Sequence, residues 1–114
     1  AMIAEGKAGT PAATDEMLRV LSHQYFDANI PAGIPPTTWV GNKTGSLNKS
    51  RSDCAIINSP AGKYVLVVFT KNNEDTSWGS TNEAQLAIRK VSNMVWNSFN
   101  PDHNYEPPAG IEKY

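Results

Sequence analysis

The chain has 114 residues, and its ten Lys plus Arg against eleven Asp plus Glu leave a net charge of −1. That length holds one small domain able to bury roughly two thirds of the surface its unfolded chain exposes, and the even charge argues against nucleic acid or a polybasic membrane surface as partner. The longest apolar run, residues 64–69, is far short of the roughly 20 residues of a spanning helix, and the single Cys54 with the distant His23 and His103 offers neither an internal disulfide nor metal-ligand spacing.

Residues 1–13 are small and polar and lack the basic start and apolar middle of a signal peptide, so they read as a flexible lead-in. Thr14 can cap a following turn, Asp15 and Glu16 suit the positive end of a helix dipole, and Met17, Leu18, Leu21 and Tyr25 form an apolar stripe. A helix is expected over 15–28. Ile30-Pro31-Ala32-Gly33-Ile34-Pro35-Pro36 stops it, because its three prolines lack donors and push their predecessors toward extended backbone.

The pattern then becomes β, with strands expected over 38–47, 53–58 and 63–71 and hairpin chemistry at Ser59-Pro60-Ala61-Gly62. In the third strand Tyr64, Leu66 and Val68 fall on one face and Val65, Val67 and Phe69 on the other, so both faces call for cover. Ser80-Thr81-Asn82-Glu83 matches a capping box, and Ala84, Ala87, Ile88, Val91, Met94 and Val95 recur at helical spacing, which predicts a helix over 81–98. Residues 100–114 carry Pro101, Pro107 and Pro108 without periodicity and read as a surface tail. The fold class is α+β: a helix, a three-stranded antiparallel meander and a C-terminal helix packed on the sheet. A third strand that is apolar on both faces and lies at an edge implies that more chain, or a second copy, covers it.

Lys43-Thr44-Gly45 opens the strand region with a cation, a hydroxyl and a position without a side chain. It suits an anion lying close to the backbone. The tripeptide gains meaning from its neighbours: the Thr14-Asp15-Glu16-Met17-Leu18 start, the Ile30-Pro31-Ala32-Gly33-Ile34-Pro35 link, Lys43-Thr44-Gly45-Ser46, Ser52-Asp53-Cys54-Ala55-Ile56-Ile57 and the 63–70 strand. With these motifs in this order, the sequence resembles the serine β-lactamase and penicillin-binding protein superfamily, specifically the C-terminal part of a class A β-lactamase-like domain, over residues 14–99.

The resemblance implies that Lys43 supports the proton relay and pairs with a substrate carboxylate, that Thr44 hydrogen-bonds that carboxylate, that Gly45 lets substrate approach, and that the Ser46 N–H is half of an oxyanion hole. Arg51 would assist the carboxylate, although its register is off by about one position and a surface arginine is the alternative. The ligand would be a β-lactam or the carboxylate of a peptidoglycan peptide, in a secreted or periplasmic bacterial parent, with no cofactor or metal.

The family's Ser-x-x-Lys nucleophile, Ser-Asp-Asn relay and deacylating Glu find no counterpart before Lys43. Ser46-Leu47-Asn48-Lys49 has the first spacing, but on a strand the Ser and Lys do not share a face. A C-terminal fragment, inactive alone, is the expected reading. The alternatives are a non-catalytic binding or oligomerisation module, self-associating through residues 63–70, and a piece of a D-Ala-D-Ala carboxypeptidase-type penicillin-binding protein. Cys54 reads as a small core residue, and Trp39 and Trp96 as packing groups.

Overall fold

The computed structural model describes residues 1–110. Its elements run α1 (Pro11–Leu21), β1 (Val40–Leu47), β2 (Ser50–Ser59), β3 (Gly62–Lys71) and α2 (Glu83–Phe99), with short 3-10 turns at Pro31–Gly33 and Pro101–His103. This is the α+β arrangement expected from the sequence. Residues 111–114 of the expected tail lie outside the described residues.

Helix α1 is displaced from its expected span. It begins at Pro11, whose missing N–H costs nothing in a first turn, and the Thr10 hydroxyl accepts from the Ala13 N–H at 3.2 Å. Thr14 is therefore not the cap but a buried residue within the helix. It ends at Leu21 because the polar side chains that follow turn back onto its last carbonyls: Ser22 and His23 onto Arg19, and Gln24 onto Val20. Tyr25, expected in the apolar stripe, lies beyond the helix and is 90% exposed.

The three strands form one antiparallel sheet in the order β1-β2-β3, joined by two tight hairpins. At the second, Ser59 pairs with Gly62 and Gly62 takes a φ of 123°, the left-handed region that favours glycine. Strand β2 starts earlier than expected, at Ser50, because the first hairpin pairs Leu47 with Ser50. Both β1 and β3 are sheet edges.

Helix α2 lies on one face of the sheet, and the core is Ile30, Ile34, Ala55, Ile57, Ile88 and Trp96, with Val40, Tyr64, Leu66, Val68 and Tyr105 against it. Complete burial of an isoleucine such as Ile57 or Ile88 contributes roughly 1.5–3 kcal/mol. The face of α2 that turns inward differs from the expected stripe. It buries Ala84, Ile88, Arg89, Ser92 and Trp96, whereas Val91 and Met94 point outward. Polar Arg89 and Ser92 are tolerated inside because they satisfy main-chain carbonyls of residues 28 and 30. The cap is Asn82, not the Ser80 of the expected box: its Oδ1 accepts from the Ala84 and Gln85 N–H groups.

The opposite face of the sheet carries Val65, Val67 and Phe69, which are 37%, 49% and 74% exposed. Tyr64, Leu66 and Val68 meet the core, so β3 has one covered face and one that is open. Cys54 stands on that open face and is exposed, which corrects its reading as a core residue. Its alternation with buried Asp53 and Ala55 decides this.

Candidate functional site

Lys43, Thr44, Gly45 and Ser46 sit consecutively on β1, opposite Cys54, Asp53, Ser52 and Arg51. Only one edge of β1 is taken by β2, and among the described residues the other has no strand partner. Alternation directs Thr44 and Ser46 to the face that α2 covers, and Lys43 and Gly45 to the open face. This stretch lines a cleft of about 560 Å³ together with two loops, residues 25–29 before the sheet and Trp78 and Ser80 after it, and Gln85 of α2.

The first loop is held by buried polar groups. The Asp53 carboxylate accepts from the Ile30 N–H at 3.0 Å and from the Asn42 side-chain amide at 3.2 Å, and that amide also reaches the Phe26 carbonyl at 3.4 Å. From the other side, Arg89 donates twice to the Ala28 carbonyl, at 3.1 and 2.8 Å, and Ser92 donates to the Ile30 carbonyl at 2.9 Å. Burial pushes the Asp53 carboxyl above its ordinary range, although the Ile30 and Asn42 hydrogen bonds and the Lys43 charge pull the other way. Asp53 also helps burial raise the neighbouring Cys54 thiol, so this exposed cysteine is not an activated thiolate.

The second loop is equally fixed. Asn82 donates to the Asp75 and Ser77 carbonyls, the Glu83 carboxylate accepts from the Glu74 and Asp75 N–H groups, and Asp75 accepts in turn from the Ser77 and Glu83 N–H groups. Hydrogen bonds from the Ser77 side chain and from the Ser77 and Glu83 N–H groups hold the Asp75 carboxyl below its ordinary range. The loop presents Trp78, 65% exposed, at the end of the cleft.

Arg51 ties this loop to the sheet. Its guanidinium donates to the carbonyls of Leu47, Ser50 and Ser77, at 2.9 Å for Ser50 and 2.7 Å for Ser77, and lies 4.8 Å from the centre of the Trp78 ring. It is fully buried, so the surface-arginine alternative is excluded. Its two terminal nitrogens are already engaged with main chain, and the group acts as a fastener beneath Trp78.

Lys43 is exposed, and its ammonium donates to the Thr44 carbonyl at 2.7 Å. A Cβ on Gly45 would lie 2.7 Å from the Ser52 hydroxyl, a group that can rotate away. Packing inside this chain therefore does not by itself demand glycine there. Ser46 lies on β1 and Lys49 in the first hairpin turn, so the Ser46-to-Lys49 string is not a nucleophile and base one helical turn apart. Among the described residues no group of three or more His, Cys, Asp or Glu is placed to hold a metal.

A family model described as the beta-lactamase enzyme family matches residues 1–99. The chain belongs to that family. Its fold recurs in a β-lactamase from Sphaerobacter thermophilus, at 28% identity and TM-score 0.77 over 94% of this chain and 38% of that one. A β-lactamase from Chitinophaga pinensis superposes with TM-score 0.72 at 22% identity over 85% of this chain and 37% of the other. A mutant of PBP-A, solved as an acyl-enzyme complex with penicillin G, superposes with TM-score 0.73 at 22% identity over 87% and 36%. The chain thus spans less than two fifths of the length of these solved relatives. No curated protein matches it by sequence.

Sequence reading had singled out Lys43, Thr44, Gly45, Ser46 and Arg51. The fold brings the first four to one cleft and sets Arg51 below its rim. It had missed Asn42, Asp53, Arg89 and Ser92, the fasteners of the first loop, and Trp78. For Arg89 and Ser92 a signal existed: with Ile88 and Trp96 they define a helical face more closely than Val91 and Met94 do.

Proposed function

We propose that this chain is the C-terminal segment of a class A β-lactamase-like serine hydrolase and carries the carboxylate and oxyanion wall of its acyl-transfer site. The observation behind this is the placement of Lys43 to Ser46 on a free strand edge that lines an open cleft. An unpaired edge has main-chain N–H groups to offer to a developing oxyanion, and Lys43 and Thr44 supply a charge-assisted pair for a carboxylate. In this reading Lys43 also steadies the family's relay serine, the Ser46 N–H is one oxyanion donor, and Arg51 acts on the carboxylate only indirectly, by holding the wall. The ligand is a β-lactam or the carboxylate end of a peptidoglycan peptide, as the penicillin complex of PBP-A supports for that neighbour. The parent protein is secreted or periplasmic; no described helix is long and apolar enough to cross a membrane.

Acyl transfer needs a nucleophile with a base in reach. In this reading the family's nucleophile and base come from outside these residues, so the chain by itself binds without turning over. The test is hydrolysis of a chromogenic cephalosporin together with binding of the same compound followed by NMR. No turnover is expected, with millimolar binding that Lys43→Ala weakens; turnover abolished by changing one serine of this chain would refute the fragment reading, and binding indifferent to Lys43→Ala would refute the role of the wall.

A second reading rests on the uncovered face of β3. Its free edge and the exposed Val65, Val67 and Phe69 suit either the missing N-terminal part of the domain or a second copy of the chain. Light scattering of the isolated chain is expected to give a dimer or larger species; a monomer whose β3 amides exchange freely counts against self-association.

A further inference from the structure

The cleft beside Lys43 and Thr44 is lined by aromatic rings that the proposed chemistry does not use. Trp78 enters from the loop after β3 and is 65% exposed; Tyr25 and Phe26 enter from the loop before β1 and are 90% and 68% exposed. Aromatic rings offer a large, flat, apolar contact area. Neither set is on a loose segment. The Tyr25 and Phe26 rings meet edge to face with centroids 5.1 Å apart, and Asn42 fixes the Phe26 carbonyl. Trp78 lies over the buried Arg51 guanidinium at 4.8 Å, and Arg51 grips the preceding Ser77 carbonyl at 2.7 Å. A buried cation spent on three main-chain carbonyls and one indole face holds that indole in place at the site.

Thr44 and Ser46 point to the α2 side of the sheet, and Trp78, Ser80 and Gln85 line the same cavity. A carboxylate held by Thr44 therefore shares its cavity with the indole.

Resting on the carboxylate-wall reading above, we propose that Trp78 is a specificity-determining residue. It selects ligands that carry a flat, apolar substituent on the atom next to the carboxylate-bearing one. In a cephalosporin that atom is C3, adjacent to the C4 carboxylate, and it accepts aryl-bearing groups. A peptide ending in D-alanine presents only a methyl there. The site is thus better matched to a β-lactam with a planar C3 group than to a cell-wall peptide. Arg51 is a positioning residue that acts through Trp78.

The test uses the full chain and two cephalosporins that share the acylamino group and differ only at C3, methyl in one and an aryl-bearing group in the other. Affinities are measured by NMR titration on the wild type, Trp78→Ala, Trp78→Phe and Lys43→Ala, each checked for an unchanged far-UV circular dichroism spectrum. Because Trp78 is largely exposed, its replacement leaves the core intact. The aryl compound is expected to bind roughly fivefold more tightly to the wild type, the scale of one aromatic contact. Trp78→Ala brings the two affinities together and Trp78→Phe keeps most of the difference. Equal affinities on the wild type, or a preference that survives Trp78→Ala, overturn the proposal while leaving the carboxylate wall standing. Binding of both compounds that ignores Lys43→Ala, or no binding of either at millimolar concentration, overturns the carboxylate wall and this inference with it.

Discussion

Gly33 is the residue whose replacement the structure prices most directly. It lies at the end of the 3-10 turn Pro31–Gly33, where a Cβ would stand 2.5 Å from the Arg89 carbonyl oxygen, 2.9 Å from the Ser92 Cβ and 3.1 Å from the Asn93 nitrogen. Two of these are main-chain atoms of α2, which cannot rotate aside. Ordinary contact begins near 3.5 Å, so in Gly33→Ala the turn and the helix must separate by about 1 Å. Overpacking of this kind costs about 1–3 kcal/mol. The same displacement pulls on the Ser92 bond to the Ile30 carbonyl and the Asn93 bond to the Gly33 carbonyl, at 2.9 and 3.0 Å, and losing one buried partner adds about 1–3 kcal/mol. Stiffening of the unfolded chain returns about 0.4–1 kcal/mol. The net loss is about 2–4 kcal/mol, and at about 4–8 °C per kcal/mol the melting temperature falls by roughly 10–25 °C. Gly45→Ala is the control, because its Cβ meets only the rotatable Ser52 hydroxyl and its stability should change by less than about 1 kcal/mol. Thermal unfolding followed by far-UV circular dichroism reads both. A Gly33→Ala protein that melts within about 2 °C of the wild type, or no lower than Gly45→Ala, refutes the close-packing argument.

Asp53→Asn should alter the pH dependence of stability in a particular sense. The Asp53 carboxyl is raised by burial, so between its unfolded value, about 3.9, and its higher folded value the native state holds more protons than the unfolded one. Its contribution therefore falls as pH rises through that window and is flat above it. Urea midpoints measured from about pH 3 to about pH 8 should lose that falling component in Asp53→Asn; identical pH profiles for the two proteins would contradict the assignment. Tyr64 has a buried hydroxyl with no hydrogen-bond partner among the described residues, while its ring stacks on Phe99 at a centroid distance of 5.2 Å. Tyr64→Phe keeps the stack and removes the unpaired group, so the melting temperature should hold or rise; a loss above about 1 kcal/mol would mean that the hydroxyl has a partner.

The second hairpin was legible because its determinants are local. Gly62 supplies the positive φ, and the two-residue period of Tyr64 to Phe69 sets which side chains share a face whatever lies outside the strand. The α1 boundary was harder to read. Thr10-Pro11 and Thr14-Asp15 are both credible starts, and the choice went to the pair in which a proline fills the first turn and a threonine caps it. The rotation of α2 left one trace in the sequence, the helical spacing of Ile88, Arg89, Ser92 and Trp96. Arg89 and Ser92 look like solvent residues until the loop over 28–30 places carbonyls against them.

By itself the sequence determined the α+β class, the meander and the placement of Lys43-Thr44-Gly45-Ser46 on one strand, since each depends on residue type and short-range spacing. Only the tertiary structure decided that Arg51 is buried beneath Trp78, that Asp53 and Arg89 hold the loop over 25–30 from two sides, and that Cys54 faces outward. Those outcomes depend on which main-chain carbonyls and amides come within about 3 Å of a side chain many residues away. Residue spacing along a chain does not carry that distance.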